Sequence, residues 1–512
     1  MNVRANMGAK KKRLTQFMLK HVLCGSRDRN PKVAVTSGIL FLTIVISFFS
    51  TLCPHTVEAF GLPDIVDDPL LSKPPVLQAG PLLPDGAVIA CPSTVDFTQP
   101  IGLSEAIDLA LCNNPQIKQA WASIKIQAGV LGESRSAYLP TSSATFSPEQ
   151  TQVKYPDFSD QNTTTRGHTA YVNLNWRLFD FGGRSANNTS AKLLLDAALA
   201  THNASIQKAM ASVIQSYFDA LTAEATMKAK EQAVLLAKSS WETTLRRENR
   251  GAVDKSDTLQ AEAALAKAQL ASSRAGGEYR KAQATLIFTM GLPSKAKLIL
   301  QEPQGYSQAT DWKDLDSWLT QAEQEHPAIM AARVQWESSN EKIIVARSAG
   351  LPTVDFVGSF NQNGYPNQGL QATNSNTMTV GLVLTVPIFE GFGTTYKIRG
   401  AQAQAEQAKA QMEDVQRQIL TEIVKSHADA VSSLANLESS EKLLNAAQNA
   451  VNSSMKRYDK GAGDILELLN AQTAMVEAQQ ERIRCIGEWR SARLRLLANA
   501  GSLGRNFVQE SR

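Results

Sequence analysis

The chain has 512 residues, enough for two or three domains, with only 6% aromatic and 20% charged side chains. Its formal net charge of +4 is gathered at one end: nine Lys and Arg before Phe60 face only Asp28 and Glu58, so the remainder is slightly acidic. That excludes the broad basic footprint of a nucleic-acid binder.

Residues 1–59 read as an export signal peptide. A basic stretch reaches Lys32, an apolar run covers Gly38 to Leu52, and Val57 and Ala59 occupy positions −3 and −1 of a cut before Phe60. The length of the basic stretch leaves an uncleaved membrane anchor as the alternative. Lipidation of Cys53 is disfavoured, because Leu52 precedes it where a small residue is needed. No later stretch holds 18 consecutive apolar residues, so no transmembrane helix is expected in the mature chain. An irregular, proline-rich segment follows at 60–100. In an oxidising compartment Cys91 and Cys112 could bridge, tying this segment to the first helix, while Cys485 stands alone on a later one.

A helix is predicted over 103–137, halted ahead of Pro140 because proline disfavours helix in the residue before it. Strands follow within 141–180. In "VNLNWRLFDFGGR", Val172, Leu174, Trp176 and Leu178 alternate with Asn173, Asn175 and Arg177, the two-residue period of a strand with one apolar face. A very long helix is predicted at 187–248, then a break at Gly251 and a helix at 256–290. The same order then returns: a helix at 315–349 ending before Pro352, strands within 353–390, a long helix at 397–459, a break at Gly461, and a helix at 464–499. A short tail, 503–512, closes the chain.

The two halves are one block written twice. "NNPQI" answers "EHPAI", "AYLP" answers "AGLP", "LFDFGG" answers "IFEGFG", "RGAVD" answers "KGAGD", and "LIFTMG" answers "LLANAG", all at a spacing of 210–212. Five ordered matches divide the chain into repeats at 101–300 and 301–502, each far longer than a solenoid unit.

Lengths then restrict the architecture. A helix of roughly 60 residues is a rod of about 90 Å, too long for a globular domain and suited to a coiled coil or an extended helical barrel. Strands of about 10 residues have the length that crosses a bilayer when tilted. In 377–388, Met378, Val380, Leu382, Leu384, Val386 and Ile388 alternate with Thr377, Thr379, Gly381 and Thr385. Val354, Phe356 and Phe360 alternate with Thr353, Asp355, Ser359 and Asn361. This is the apolar-out, polar-in pattern of an outer-membrane barrel, although a hairpin on a soluble core alternates in the same way. Pro140, Gly182, Gly183, Pro352, Gly391 and Gly393 mark the strand–helix transitions, the glycines supplying backbone angles that side chains resist. Phe179, Phe181, Phe389 and Phe392 are expected at the membrane boundary. An open four-stranded sheet leaves backbone groups unpaired in lipid, so a barrel has to close between chains. Two copies give eight strands and three give twelve.

Across 100–502 the chain resembles the TolC family of outer-membrane efflux proteins. The residues that carry the resemblance are "LSEAIDLALCNNP", the Leu-Pro pairs, "LFDFGG"/"IFEGFG" and "RYDKGAGDILELLNAQTAM" within the duplicated plan. The resemblance implies a mainly α protein with membrane β: a homotrimer whose chains each give four strands to a shared twelve-stranded barrel. Below it, a twelve-helix periplasmic tunnel would carry an equatorial belt; the segment 60–100 has no counterpart in the family's plan. It implies a passive duct, without cofactor or catalysis, fed through a periplasmic adaptor by an inner-membrane pump driven by protons or ATP. Gly251, Ala252, Val253 and Asp254, with Gly461, Ala462, Gly463 and Asp464, become the adaptor-docking tips. Glu467 and Asn470, one helical turn apart, match paired acids that narrow the family's entrance, but Asn470 lacks the charge. Tyr458 matches a tyrosine of the same network, and Gly463 stands where a tethering arginine is carried in the family.

Other chemistry finds no support in the residues. His168, His202, His326 and His427 lack paired metal-site spacing, and "FDFGGR" is too short for a phosphate loop. "NTS" at 188–190 and "NAS" at 203–205 match a glycosylation pattern by coincidence in a bacterial-type export product. The competing reading is a periplasmic structural coiled coil without a pore. A diffusion porin would need many more strands.

Overall fold

A computed structural model of the chain describes residues 68–79, 91, 99–157, 162–302, 314–364 and 374–503. The expected export signal, Cys53 and nearly all of the tail lie outside the described residues. The first repeat runs α1 (Leu103–Asn113), α2 (Pro115–Ser136), β1 (Thr141–Val153), β2 (Thr163–Phe179), α3 (Gly183–Glu248) and α4 (Lys255–Thr289). The second runs α5 (Leu315–Glu325), α6 (Pro327–Ser348), β3 (Thr353–Gly364), β4 (Asn374–Thr385), α7 (Gly393–Asp459) and α8 (Ile465–Asn499).

The single helices expected at 103–137 and 315–349 are each two helices. Asn114 and His326 turn extended, with ψ of 121° and 124°. Pro115 and Pro327 then begin the second helix, where a missing N–H costs nothing. The caps are equivalent although the residues differ. Asn114 Oδ1 accepts from Gln116 N at 2.8 Å, and His326 Nδ1 accepts from Ala328 N at 3.2 Å.

The rods α3 and α7 have 66 and 67 residues and no proline, which makes each about 100 Å long. Most of the buried face of α7 is Ala and Ser, including Ala401, Ser426, Ala430, Ser433, Ser440 and Ala447, so helices can approach closely along it. Rod α3 pairs with α4, α7 pairs with α8, and α6 lies against both rods. The large apolar core sits part-way along them. Ile206, Met210, Val213, Ile214 and Tyr217 of α3 meet α1, Trp318 of α5, and the C-terminal ends of α4 and α8. Tyr217 is fully buried because its hydroxyl has partners, donating to the carbonyls of Ile101 (3.0 Å) and Gln301 (2.6 Å).

The four strands form one antiparallel sheet in the order β1-β2-β3-β4. The central pair β2–β3 joins the two repeats, with Trp176 opposite Phe356 and Arg177 opposite Asp355. The described part of the N-terminal segment runs lengthwise along α2. Arg135 Nη1 donates to the carbonyls of Leu70 and Leu71, at 2.8 and 2.5 Å. Leu77 joins the cluster of Ile124, Ala128 and Leu131 with α3, and Cys91 is disulfide-bonded to Cys112 at the end of α1. Cys485 is a buried free thiol on α8.

Candidate functional site: strand–helix junctions and hairpin tips

At the junctions the chain turns from sheet to rod through two left-handed residues. In the first repeat these are Phe181 (φ +51°) and Gly182 (φ +88°); in the second, Gly391 (φ +59°) and Phe392 (φ +65°). The expectation that glycine supplies every such angle is therefore corrected: one phenylalanine in each junction adopts it. Gly183 and Gly393 are instead the first residues of α3 and α7. At Gly183 the constraint is space, since an added Cβ would collide with Ser348 Oγ of α6. The phenylalanine pairs stack edge-on, Phe179–Phe181 at 4.8 Å and Phe389–Phe392 at 5.6 Å between centroids, and all four rings are at least half exposed or close to it.

Acids close the junctions. Asp180 Oδ2 accepts from the backbone N–H of Arg184 at 2.8 Å, and Glu390 accepts from the Thr394 hydroxyl. Arg184 also donates to the carbonyls of Arg177 (2.6 Å) and Leu178 (3.0 Å), fastening the strand end to the rod. Pro140 and Pro352 stand just before β1 and β3.

At the other end of the rods the two tips share one backbone. Gly251 and Gly461 take φ of +69° and +72°, left-handed angles that a residue with a Cβ adopts only at a cost. Ala252 N donates to Arg247 O and Ala462 N to Arg457 O, both at 2.9 Å, the closing bonds of a glycine-terminated helix. Gly251, Ala252, Asp254, Gly461, Ala462 and Asp464 are exposed, and Val253 and Gly463 half-buried. Asp464 caps α8, accepting from Leu466 N at 3.3 Å. Nothing lies within 4 Å of a Cβ placed on Gly251 or Gly461, whereas one on Gly463 would meet Tyr458 N at 3.0 Å.

The expected entrance residues part company. Tyr458, near the end of α7, is buried against Ile465 and Leu468 of α8, its hydroxyl 3.2 Å from Thr244 Oγ1 of α3. Asn470 is exposed, and Glu467 is half-buried and bound to its own hairpin: Arg457 Nη1 lies 3.0 Å and Ser454 Oγ 3.4 Å from Glu467 Oε1. Sequence reasoning missed Arg247. Its guanidinium donates to the carbonyls of Tyr458 (2.8 Å) and Asp459 (3.2 Å) and lies 4.3 Å from the Tyr458 ring centroid, filling the carbonyl end of α7. The signal was present, because Arg247 and Arg457 are both four residues before a turn glycine. Below the tip, Gln472 Nε2 donates to Ser240 Oγ at 2.9 Å.

The model of the outer membrane efflux protein family matches the chain twice, over residues 106–292 and 318–502. The chain belongs to this family. Proteins similar to it include Protein CyaE of Bordetella pertussis, 32% identical over 418 residues, which cover 82% of this chain and 88% of that one. Outer membrane efflux protein BepC of Brucella suis is 24% identical, over 79% and 85% of the two chains. The solved CmeC outer membrane channel of Campylobacter jejuni superposes with a TM-score of 0.68 at 19% identity, over 80% of this chain and 89% of that one. The two matched stretches coincide with the two repeats. Membership places this efflux protein in the outer membrane, and it is a transport protein rather than an enzyme.

Proposed function

We propose that three copies of this chain form a channel-tunnel, the exit duct of drug efflux or type I protein secretion. The observation that carries this reading is the sheet. Met378, Val380, Leu382 and Leu384 form a row of exposed apolar side chains along β4, each 56–67% exposed. Strands β1 and β4 are the outer members of a four-stranded sheet. Lipid satisfies the apolar row but not the strand edges, so β4 of one copy has to pair with β1 of the next until the ring closes. Twelve strands leave a lumen where eight would fill with side chains. The rods continue that ring into the periplasm. The exposed tips at Gly251–Asp254 and Gly461–Asp464 then face an adaptor, behind which stands a proton-driven or ATP-driven pump. Glu467 and Asn470 lie beside the mouth, and the four junction phenylalanines meet the lipid boundary.

The test is outer-membrane fractionation, an unheated gel, and planar-bilayer recording of the purified protein. Heat-modifiable trimers with long-lived single-channel conductance are expected. A protein recovered in the soluble periplasm, without conductance, would establish the structural coiled coil instead.

A further inference from the structure

The internal duplication is also a prediction of contacts. Advancing by 210 residues carries Thr244 onto Ser454, Arg247 onto Arg457, and Glu248 onto Tyr458. Within the chain, Thr244 and Arg247 of the first tip both reach the second tip at Tyr458. Their counterparts Ser454 and Arg457 have no first tip ahead of them in the same chain. They fold back onto one carboxylate, Glu467, and Arg457 keeps 56% of its side chain exposed. In a closed ring of alternating repeats, what lies ahead of the second tip is the first tip of the next copy. The residue standing there where Tyr458 stands is Glu248.

We propose that Ser454 and Arg457 clasp Glu248 of the adjacent copy, so that the mouth is held by two kinds of clasp in alternation. One is the Arg247–Tyr458 clasp inside each chain; the other is an Arg457–Glu248 ion pair between chains. The inference rests on ring closure as read above. Charge agrees with it: the duplication replaces an aromatic face by a carboxylate, the acceptor that a guanidinium binds most strongly. Glu467 then serves as a stand-in, satisfying Arg457 where no neighbour is present. The helices repeat the same asymmetry. Helix α6 lies against both rods, while its counterpart α2 lies along α3 with Ile126 63% and Val130 38% exposed.

The test uses the full chain in outer membranes. Arg457→Cys combined with Glu248→Cys, in a Cys485→Ser background, should give disulfide-linked dimers and trimers on mild oxidation, lost again on reduction. Each single variant should stay monomeric on the same denaturing gel. Trimers on an unheated gel without that ladder would overturn the clasp and leave the assembly standing. Absence of trimers in the unsubstituted protein would overturn both. Charge reversal decides independently of the cysteines. Arg457→Glu should lower the melting midpoint of the trimer and raise its conductance, and adding Glu248→Arg should restore both. Losses that simply add in the double variant overturn the proposal.

Discussion

Arg177 of β2 and Asp355 of β3 stand directly opposite one another across the seam between the two repeats, and their side chains meet at 2.9 Å. The pair is unequal: the Asp355 side chain is 13% exposed and that of Arg177 47%. Removing the arginine strands a buried carboxylate, whereas removing the acid leaves a guanidinium that water can reach. Arg177→Ala should therefore cost about 1–3 kcal/mol, and Asp355→Ala clearly less. Urea titration of the folded protein in detergent, followed by gel mobility, reads both; equal losses would contradict the burial argument.

The β4 row gives a second test. Leu384 pairs with Val354 and is 64% exposed, while its neighbour Thr385 points to the other face. Leu384→Arg should cost about 2–4 kcal/mol of membrane stability and reduce assembled protein. Thr385→Arg should assemble and change conductance. Similar insertion yields for the two variants would mean the faces are assigned wrongly.

A third concerns the tips. Valine at Gly251 and Gly461 has to adopt left-handed angles at a cost of about 1–2 kcal/mol each, although nothing obstructs the added Cβ. Trimers should still form, because the tips are far along the rods from the core. Export should fall sharply, because a tip that relaxes to another backbone no longer presents the same surface to an adaptor. Export measured in cells carrying the doubly substituted protein, beside its trimer content, separates docking from assembly.

His326 makes stability depend on pH. Burial pushes its imidazole down to about 4, a backbone hydrogen bond with Asn499 opposing the shift. The folded state keeps the ring neutral while the unfolded chain takes up a proton below about 6.5. Stability is thus complete above that value, falls as the pH drops toward 4, and levels below it, by roughly 3 kcal/mol in all. His202, lowered by burial beside Trp121, acts in the same direction. His326→Asn copies the cap that Asn114 supplies in the first repeat, and should flatten much of this slope without lowering stability at pH 8. Thermal melts across pH 4–8 would show it; an unchanged slope would assign the acid sensitivity elsewhere.

By itself the sequence determined the elements. Proline before a strand, glycine after a rod, and apolar residues at periods of two or 3.6 are local signals, read within a few residues of where they act. The duplication was equally plain, since it needs only the chain compared with itself. Even the Cys91–Cys112 pairing was open to reading, because only Cys91, Cys112 and Cys485 follow residue 59. Which side chains meet was decided by the tertiary structure. Arg247 reaches Tyr458 over 211 residues of chain, Arg177 reaches Asp355 over 178, and Glu467 turns to Arg457 in its own hairpin. The split at Asn114 and His326 and the left-handed Phe181 and Phe392 belong with them. The pairs Arg247–Tyr458 and Arg177–Asp355 need elements of both repeats side by side, and no local signal in the chain specifies that.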